Sequence, residues 1–336
     1  MNTPHSSERG QQLLHALSPF ESGLSTPGYT EIAINKPGEY WTEGPNGWER
    51  HEARELTFDR CARLAQLIAT FNVKSIGQKN PILSGELPGK ERVQIVMPPA
   101  CTPSTVSMTI RRHNPTIFGL DDLKEGGSFA LYQARPEGLQ DFELELLRLL
   151  KQNDVHGFLR LAVKKHRNIA ITGATGSGKT VVTNALMREI PLGERLITIQ
   201  DVAELRPPHQ NVVELFFSRE EEGGHTVSAK TLLASSLRMK PDRLIVAEIR
   251  GDEAWEYLKA LGTGHRGSIT TWHADSEREA FDQLAAFVKD SKTGAHLDVE
   301  YVKHRIRTTI DIVLHYSHRK LQGIYYDPET RLQRLA

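Results

Sequence analysis

Cysteine is nearly missing from this chain of 336 residues. Cys61 and Cys101 are the only two, too few for a disulfide framework or for a four-cysteine zinc module, so no zinc is expected. Long apolar runs are missing as well, and nothing approaches the roughly 18 residues that a membrane span needs. The opening MNTPHSSERGQQLL is polar and lacks the apolar region of a signal peptide, which points to a cytoplasmic protein. Net charge is also absent: 42 Lys and Arg balance 42 Asp and Glu. Without a global positive field, direct binding to nucleic acid or anionic lipid is disfavoured. What remains, 38% hydrophobic and 25% charged with no repeat or low-complexity tract, is globular, and its length suggests two domains with separate cores.

The informative stretch is NIAITGATGSGKT, Asn168 to Thr180. A short apolar run leads into Gly173-Ala174-Thr175-Gly176-Ser177-Gly178-Lys179-Thr180, which fits G-x-x-x-x-G-K-[ST]. Glycines let the backbone turn so that its amides converge on an anion, and a following helix N-terminus adds partial positive charge. Lys179 is expected on the β- and γ-phosphates of ATP and the Thr180 hydroxyl on Mg²⁺. KTVVTNALMREI then places Val182, Ala185, Leu186 and Ile190 at helical spacing before Pro191, so the strand–loop–helix context is met.

Around this loop the chain divides in two. TEIAINKPGEYWTEGPNGWER alternates apolar and polar residues between turns and reads as an antiparallel meander, with a helix over Thr57–Phe71 covering it. PILSGELPGKERVQIVMPPA reads as two strands about Pro88-Gly89-Lys90, and TVSMTIRRH as a third. A short helix is expected near Gln11–Leu17. These elements predict a smaller N-terminal α+β domain over residues 1–135 and a partly helical linker over 136–155. A P-loop α/β domain of parallel strands follows over 156–336. Its strands are expected at Asn168–Thr172, Leu196–Gln200, Val212–Phe216, Leu244–Ala247, Ser268–Thr271 and Thr309–Leu314. Helices are expected at Leu232–Asp242, Asp252–Gly262 and Ser276–Val288, the last opened by the capping box Ser276-x-x-Glu279.

In an open α/β sheet the ligand sits at the carboxyl ends of the strands, so polar residues just after apolar strands are the site candidates. Three places qualify: Asp201 to Glu204, Glu248 to Arg250, and His273 to Asp275. Glu248 ends RLIVAE, a strand apolar enough to be buried on both faces, and a charge there needs a partner such as an attacking water. It is the first candidate for the activating base, with Glu204 second. Because Ala247 stands where many P-loop enzymes keep an aspartate, Mg²⁺ is expected on Thr180, helped by Asp201 or Glu204. His273, at a strand end, is a candidate γ-phosphate sensor, and His265 lies in the flexible turn GTGHRG. Phosphoryl transfer gains when a cation from outside the loop reaches the γ-phosphate. Arg238, Arg250, Arg111 and Arg112 are the candidates, unranked by sequence.

Four boxes stand in one order: GATGSGKT, QDVAEL, SLRMKPDRLIVAEIRGDEA and GTGHRGSITTWHAD. They resemble the secretion ATPase superfamily of type II and type IV secretion systems, with a Walker A loop, an Asp box, a Walker B strand ending in glutamate and a His box. EIAINKPGEYWTE, LPGKERVQIVMPP and SMTIRR are similar to the N-terminal domain of the type IV branch, the VirB-type traffic ATPases of conjugation and effector export. The resemblance implies a RecA-like ATPase domain and a two-tiered homo-hexamer, peripheral at the cytoplasmic face of the inner membrane. Its implied partners are inner-membrane channel components and coupling ATPases, and its implied task is to power pilus biogenesis and substrate translocation. It also implies roles for Asp201 and Glu204 in the Asp box, Glu248 in the Walker B box, His265 and His273 in the His box, and Arg111 or Arg112 at the phosphate. Gln200 and Ala247 depart mildly from the family pattern. The rival readings are a nucleic-acid-dependent RecA-like motor and a nucleotide-gated scaffold.

Overall fold

A computed structural model describes residues 8–112, 118–130, 138–218 and 227–335, and the structural statements below concern these residues. The boundary expected at 135/136 lies outside them.

The first half builds an antiparallel sheet in the order β3-β2-β1-β6-β5-β4. The meander supplies β1 (Glu31–Ile34), β2 (Gly38–Gly44) and β3 (Gly47–Ala53). The hairpin about Pro88-Gly89-Lys90 supplies β4 (Ile82–Glu86) and β5 (Arg92–Val96), and β6 (Ser107–Arg111) joins the two groups by pairing with both β1 and β5. Helices α1 (Glu8–Ala16), α2 (Glu21–Ser25) and α3 (Phe58–Phe71) accompany it. Thr57 caps α3 by accepting the Arg60 amide. That helix lays Cys61, Leu64, Ala65 and Ile68 against the sheet's Ile32, Ile95, Met108 and Ile110.

After α4 (Leu120–Glu125) come α5 (Asp141–Lys151) and α6 (Val155–Lys164). The stretch expected as linker therefore contains α5, whose Leu146 and Leu149 are buried with Ile169 and Ile171 of the second sheet. Burial of this apolar stripe makes α5 part of the second core rather than a bridge.

The second sheet runs β13-β12-β7-β11-β10-β8-β9. Its strands are β7 (Ile169–Thr172), β8 (Leu196–Gln200), β9 (Val212–Phe216), β10 (Arg243–Val246), β11 (Ile269–Trp272), β12 (Ile312–Ser317) and β13 (Lys320–Tyr326). All neighbours are parallel except β12 and β13. The remaining helices are α7 (Lys179–Met187), α8 (Ala229–Ser236), α9 (Glu253–Gly262), α10 (Glu279–Asp290), α11 (Val299–Thr309) and α12 (Pro328–Leu335). Alternation along the strands sorts them into two layers: Ile169 and Ile171 face the α5–α7 layer, while Ala170 faces the α8–α11 layer.

Several boundaries differ from the sequence reading, the largest at the end of α8, which stops at Ser236 rather than Asp242. The strand expected at Thr309–Leu314 starts only at Ile312, because α11 runs through Thr309. Helix α8 begins three residues earlier than expected, where the Ser228 hydroxyl accepts the Thr231 amide. Helix α7 stops at Met187, short of Pro191. Ser276 still accepts the Glu279 amide at 3.1 Å, but regular helix begins only at Glu279.

The two sheets meet at the edge strand β9. The Phe216 amide donates to the Ala100 carbonyl at 2.9 Å, and Val96, Ala100 and Cys101 enter the second core. At the centre of the junction lies Arg195, fully buried. Its guanidinium donates to Asn35, Asn211, Thr109 and the Met239 carbonyl, joining β8 to both sheets. Burial pulls its pKa down, opposed by nearby Asp242, Glu31 and Glu43. Arg195→Ala strands these buried acceptors, each costing roughly 1–3 kcal/mol when unpaired, and leaves a void. Urea unfolding of the full chain is expected to show a loss of about 3 kcal/mol or more; an unchanged midpoint would mean that the junction does not depend on this side chain.

Candidate nucleotide site

Strand β7 is buried at all four positions and delivers the chain into the glycine loop. At Gly173 φ is +143°, and a Cβ there would run into the carbonyl oxygen of Tyr316 at the end of β12. Gly178, at φ +96°, forms the N-cap of α7. Only glycine takes both conformations without strain, so the loop lies flat against the sheet and α7 points its N-terminus into a cleft of about 840 Å³. Thr175 to Thr180 line that cleft. The Lys179 ammonium donates to the carbonyls of Gly173 (2.8 Å) and Ala174 (3.0 Å). Burial lowers its pKa, while the Glu248 carboxylate acts in the opposite sense.

The carboxyl ends of β8, β10 and β11 close the far wall. Glu248 follows β10, whose four residues are all buried, and only 15% of its side chain is exposed. One carboxylate oxygen lies 2.9 Å from His273 Nε2, at the end of β11, and the other accepts from the Arg250 guanidinium. The Glu248 hydrogen bond raises the Arg250 pKa. Glu248, Arg250 and His273 thus form one polar cluster facing the loop.

The Asp box is held by two side chains that sequence reasoning gave no role. The buried Gln200 amide oxygen accepts the backbone N–H of both Glu204 (3.0 Å) and Leu205 (2.9 Å). Asn184 on α7 donates to the Glu204 carbonyl and accepts the Arg206 amide. Gln200 therefore supplies the acceptor that holds the start of the Asp box, while its own amide nitrogen is buried without a hydrogen-bond partner among the described residues. The Thr180 hydroxyl donates to Glu204 at 3.1 Å, and Asp201 lines the same cleft. Among the described residues no group of three or more His, Cys, Asp and Glu side chains could hold a metal ion. Mg²⁺ keeps several waters and takes one or two protein oxygens plus phosphates. Thr180 would be the direct ligand, with Glu204 and Asp201 behind it.

Of the remaining candidates, Arg111, Arg238 and His265 are not brought to this cleft within the chain. They line a second cavity, of about 660 Å³, between the sheets. Arg111 lies 3.6 Å from Glu31, whose carboxyl burial pushes up to about 7 despite the arginine's opposing charge. Arg238 donates to Ser84. The half-buried His265 has its pKa lowered by desolvation. Arg112 is turned elsewhere and donates to the carbonyls of Thr26 and Tyr29. The cavity also contains Lys74, Arg92 and Lys240. Arg92 is the direct cross-strand partner of Arg111, a pairing that becomes visible only once the β5–β6 register is known. Two further residues at the nucleotide cleft, Tyr316 and Arg319, come from the β12–β13 hairpin, whose turn lacks the Gly or Asn that signals one in sequence.

The family model described as "Type II/IV secretion system protein" matches residues 61–316. The type IV secretion system protein VirB11 of Bartonella quintana is 39% identical, covering 94% of this chain and 93% of the relative. PtlH of Bordetella pertussis, also a type IV secretion system protein, is 40% identical, covering 92% and 91%. The crystal structure of the VirB11 ATPase from the Brucella suis type IV secretion system, in complex with sulphate, superposes with a TM-score of 0.92. It shares 38% identity and covers 98% of both chains.

Proposed function

Since the chain belongs to the type II/IV secretion system protein family and is an ATPase of the type IV kind, we propose that it works as a homo-hexameric ring. It would sit at the cytoplasmic face of the inner membrane beside the channel's membrane components and coupling ATPases. There it would hydrolyse Mg²⁺-bound ATP and convert turnover into domain motion that drives pilus biogenesis and the export of protein or DNA–protein substrates. Among the described residues no helix is long and apolar enough to cross a membrane. The N-terminal domain is assigned to residues 1–135 and the moving ATPase domain to residues from Asp141 onward, because α5 packs with the second sheet.

The observation that carries this reading is the separation of two complementary cavities. One holds the phosphate loop, Glu248 and His273; the other holds Arg92, Arg111, Arg238, Lys74 and Lys240. A ring of identical subunits in head-to-tail contact sets one surface of each copy against a different surface of the next. In that arrangement Arg111 and Arg92 of one subunit serve the γ-phosphate held by its neighbour, where developing negative charge needs a cation. Within the cleft Lys179 holds phosphate, Glu248 orients and deprotonates the attacking water, and His273 fixes the Glu248 carboxylate. Mg²⁺ supplies charge neutralisation between the phosphates when bound.

Mixing tests the trans arrangement. Lys179→Ala and Arg111→Ala rings are each expected to be inactive. In random mixed rings one interface in about four joins an intact loop to an intact arginine, so about a quarter of wild-type phosphate release returns. No recovery on mixing would put Arg111 in cis or outside the reaction. The same assay run with single-stranded DNA at fixed salt is expected to show no stimulation. Strong stimulation would instead favour a nucleic-acid motor.

A further inference from the structure

We propose that Arg319, in the turn of the β12–β13 hairpin, binds the part of the nucleotide that ATP and ADP share, from the side of the loop opposite Glu248. This deepens the ATPase reading above and rests on it.

The placement follows from strand order. In β12-β7-β11-β10 the loop strand β7 stands between β12 and the two strands that carry His273 and Glu248. Groups on β11 and β10 therefore approach bound phosphate from one side, and groups at the end of β12 approach from the other. The hairpin turn is pressed onto the loop at both ends. The Tyr316 carbonyl closes over Gly173, and the Arg319 Cα and Cγ lie 3.8 Å from where a Cβ on Gly178 would stand. Arg319 lines the same cleft as Lys179 and Thr180. Its side chain is exposed, and among the described residues it has neither a hydrogen bond nor an ion pair. By contrast, Arg250 in the same cleft is taken by Glu248, and the Lys179 ammonium is held on loop carbonyls.

The turn is an unusual place for an arginine. Ser317 pairs with Lys320, and the two residues between, His318 and Arg319, have φ of +48° and +60°. Two consecutive left-handed residues are the geometry that Asn-Gly fills readily and other side chains fill with strain. The strained residue is the one that sets a free guanidinium beside the phosphate loop. A guanidinium offers paired donors suited to phosphate oxygens. From the β12 side those donors meet the nucleotide away from the γ-phosphate, which faces Glu248 and His273.

Arg319→Gly is the discriminating variant, because glycine relaxes the turn while removing the side chain. Titration calorimetry of the full-length protein with ADP and with ATP is expected to show both affinities weakened by about tenfold, the effect of one charge-assisted hydrogen bond. Thermal stability should hold or rise, and the kinetic loss should fall on KM rather than kcat. Arg319→Lys recovers part of the affinity. Unchanged ADP affinity overturns the proposal, and so does weakening confined to ATP, which would place the side chain at the γ-phosphate. Lys179→Ala is the control. If it loses affinity while Arg319→Gly does not, only this inference fails; if it too binds normally, the nucleotide reading itself fails.

Discussion

Lys179→Ala is expected to reduce phosphate release to background and to weaken ATP binding by at least a hundredfold, with the fold intact. The lysine is the one ammonium in the glycine loop, and it is held on the Gly173 and Ala174 carbonyls. Moving from two carbonyl oxygens to phosphate oxygens trades neutral acceptors for ionic ones in a half-buried cleft. There charge-assisted contacts are worth about 1.5–3 kcal/mol each. Two such contacts account for a hundredfold loss or more, since about 1.4 kcal/mol is tenfold. The structural cost is small, because the Ala174 carbonyl is exposed to water and the loop from Ala174 to Gly176 is open. Binding by titration calorimetry and turnover by phosphate release, with circular dichroism for the fold, check the prediction. A variant that still turned over would show that the glycine loop is not the phosphate site.

The first half of the chain was legible because its signals are local. The meander turns, the Thr57 cap and the hairpin about Pro88-Gly89-Lys90 each fix a boundary within a few residues, and β1 to β6 follow from them. In the second half β7, β8, β10 and β11 are short runs buried on both faces and β9 is an edge strand of alternating burial, and these too were read close to their observed limits. The C-terminal end was not. Helix α11 buries only a narrow stripe that includes Val302 and Ile306, so its periodicity is weak, and the β12–β13 turn is made by His-Arg instead of a glycine pair. Missing that hairpin also hid Tyr316 and Arg319.

At the site the same division holds between what lies along the chain and what is brought together in space. Glu248 and His273 could be nominated from strand ends, since each follows an apolar run, and they meet at 2.9 Å. The arginines could not be ranked, because their roles depend on register and docking. Arg112 differs from Arg111 by one position, yet the pleat turns it onto the Thr26 and Tyr29 carbonyls while Arg111 faces the second cavity. Arg92 carries no local signal at all and acquires one only as the cross-strand neighbour of Arg111. Arg195 is a similar case: an arginine before an apolar strand reads as a surface charge, and only the docking of the first sheet on β9 buries it.

Glu248→Gln separates binding from chemistry. Gln has the shape of Glu and keeps an oxygen for the His273 contact, but it lacks the charge that would take a proton from water and that holds the Arg250 guanidinium. General base catalysis contributes roughly 10²–10⁴-fold, so kcat should fall within that range while ATP and ADP affinities stay within about threefold of wild type. Glu204→Gln is the paired measurement. Glu204 accepts from the Thr180 hydroxyl and stands on the metal side of the cleft. Its loss should therefore raise the Mg²⁺ concentration needed for half-maximal turnover rather than abolish chemistry. If Glu204→Gln stops turnover and Glu248→Gln does not, the base is the Asp-box carboxylate and the Glu248–His273 pair is a structural tie. The same variant also distinguishes a motor from a nucleotide-gated scaffold. A motor needs hydrolysis on every cycle, so secretion should stop in Glu248→Gln as fully as in Lys179→Ala. Secretion that survives Glu248→Gln but not Lys179→Ala would make bound ATP, rather than its turnover, the working signal.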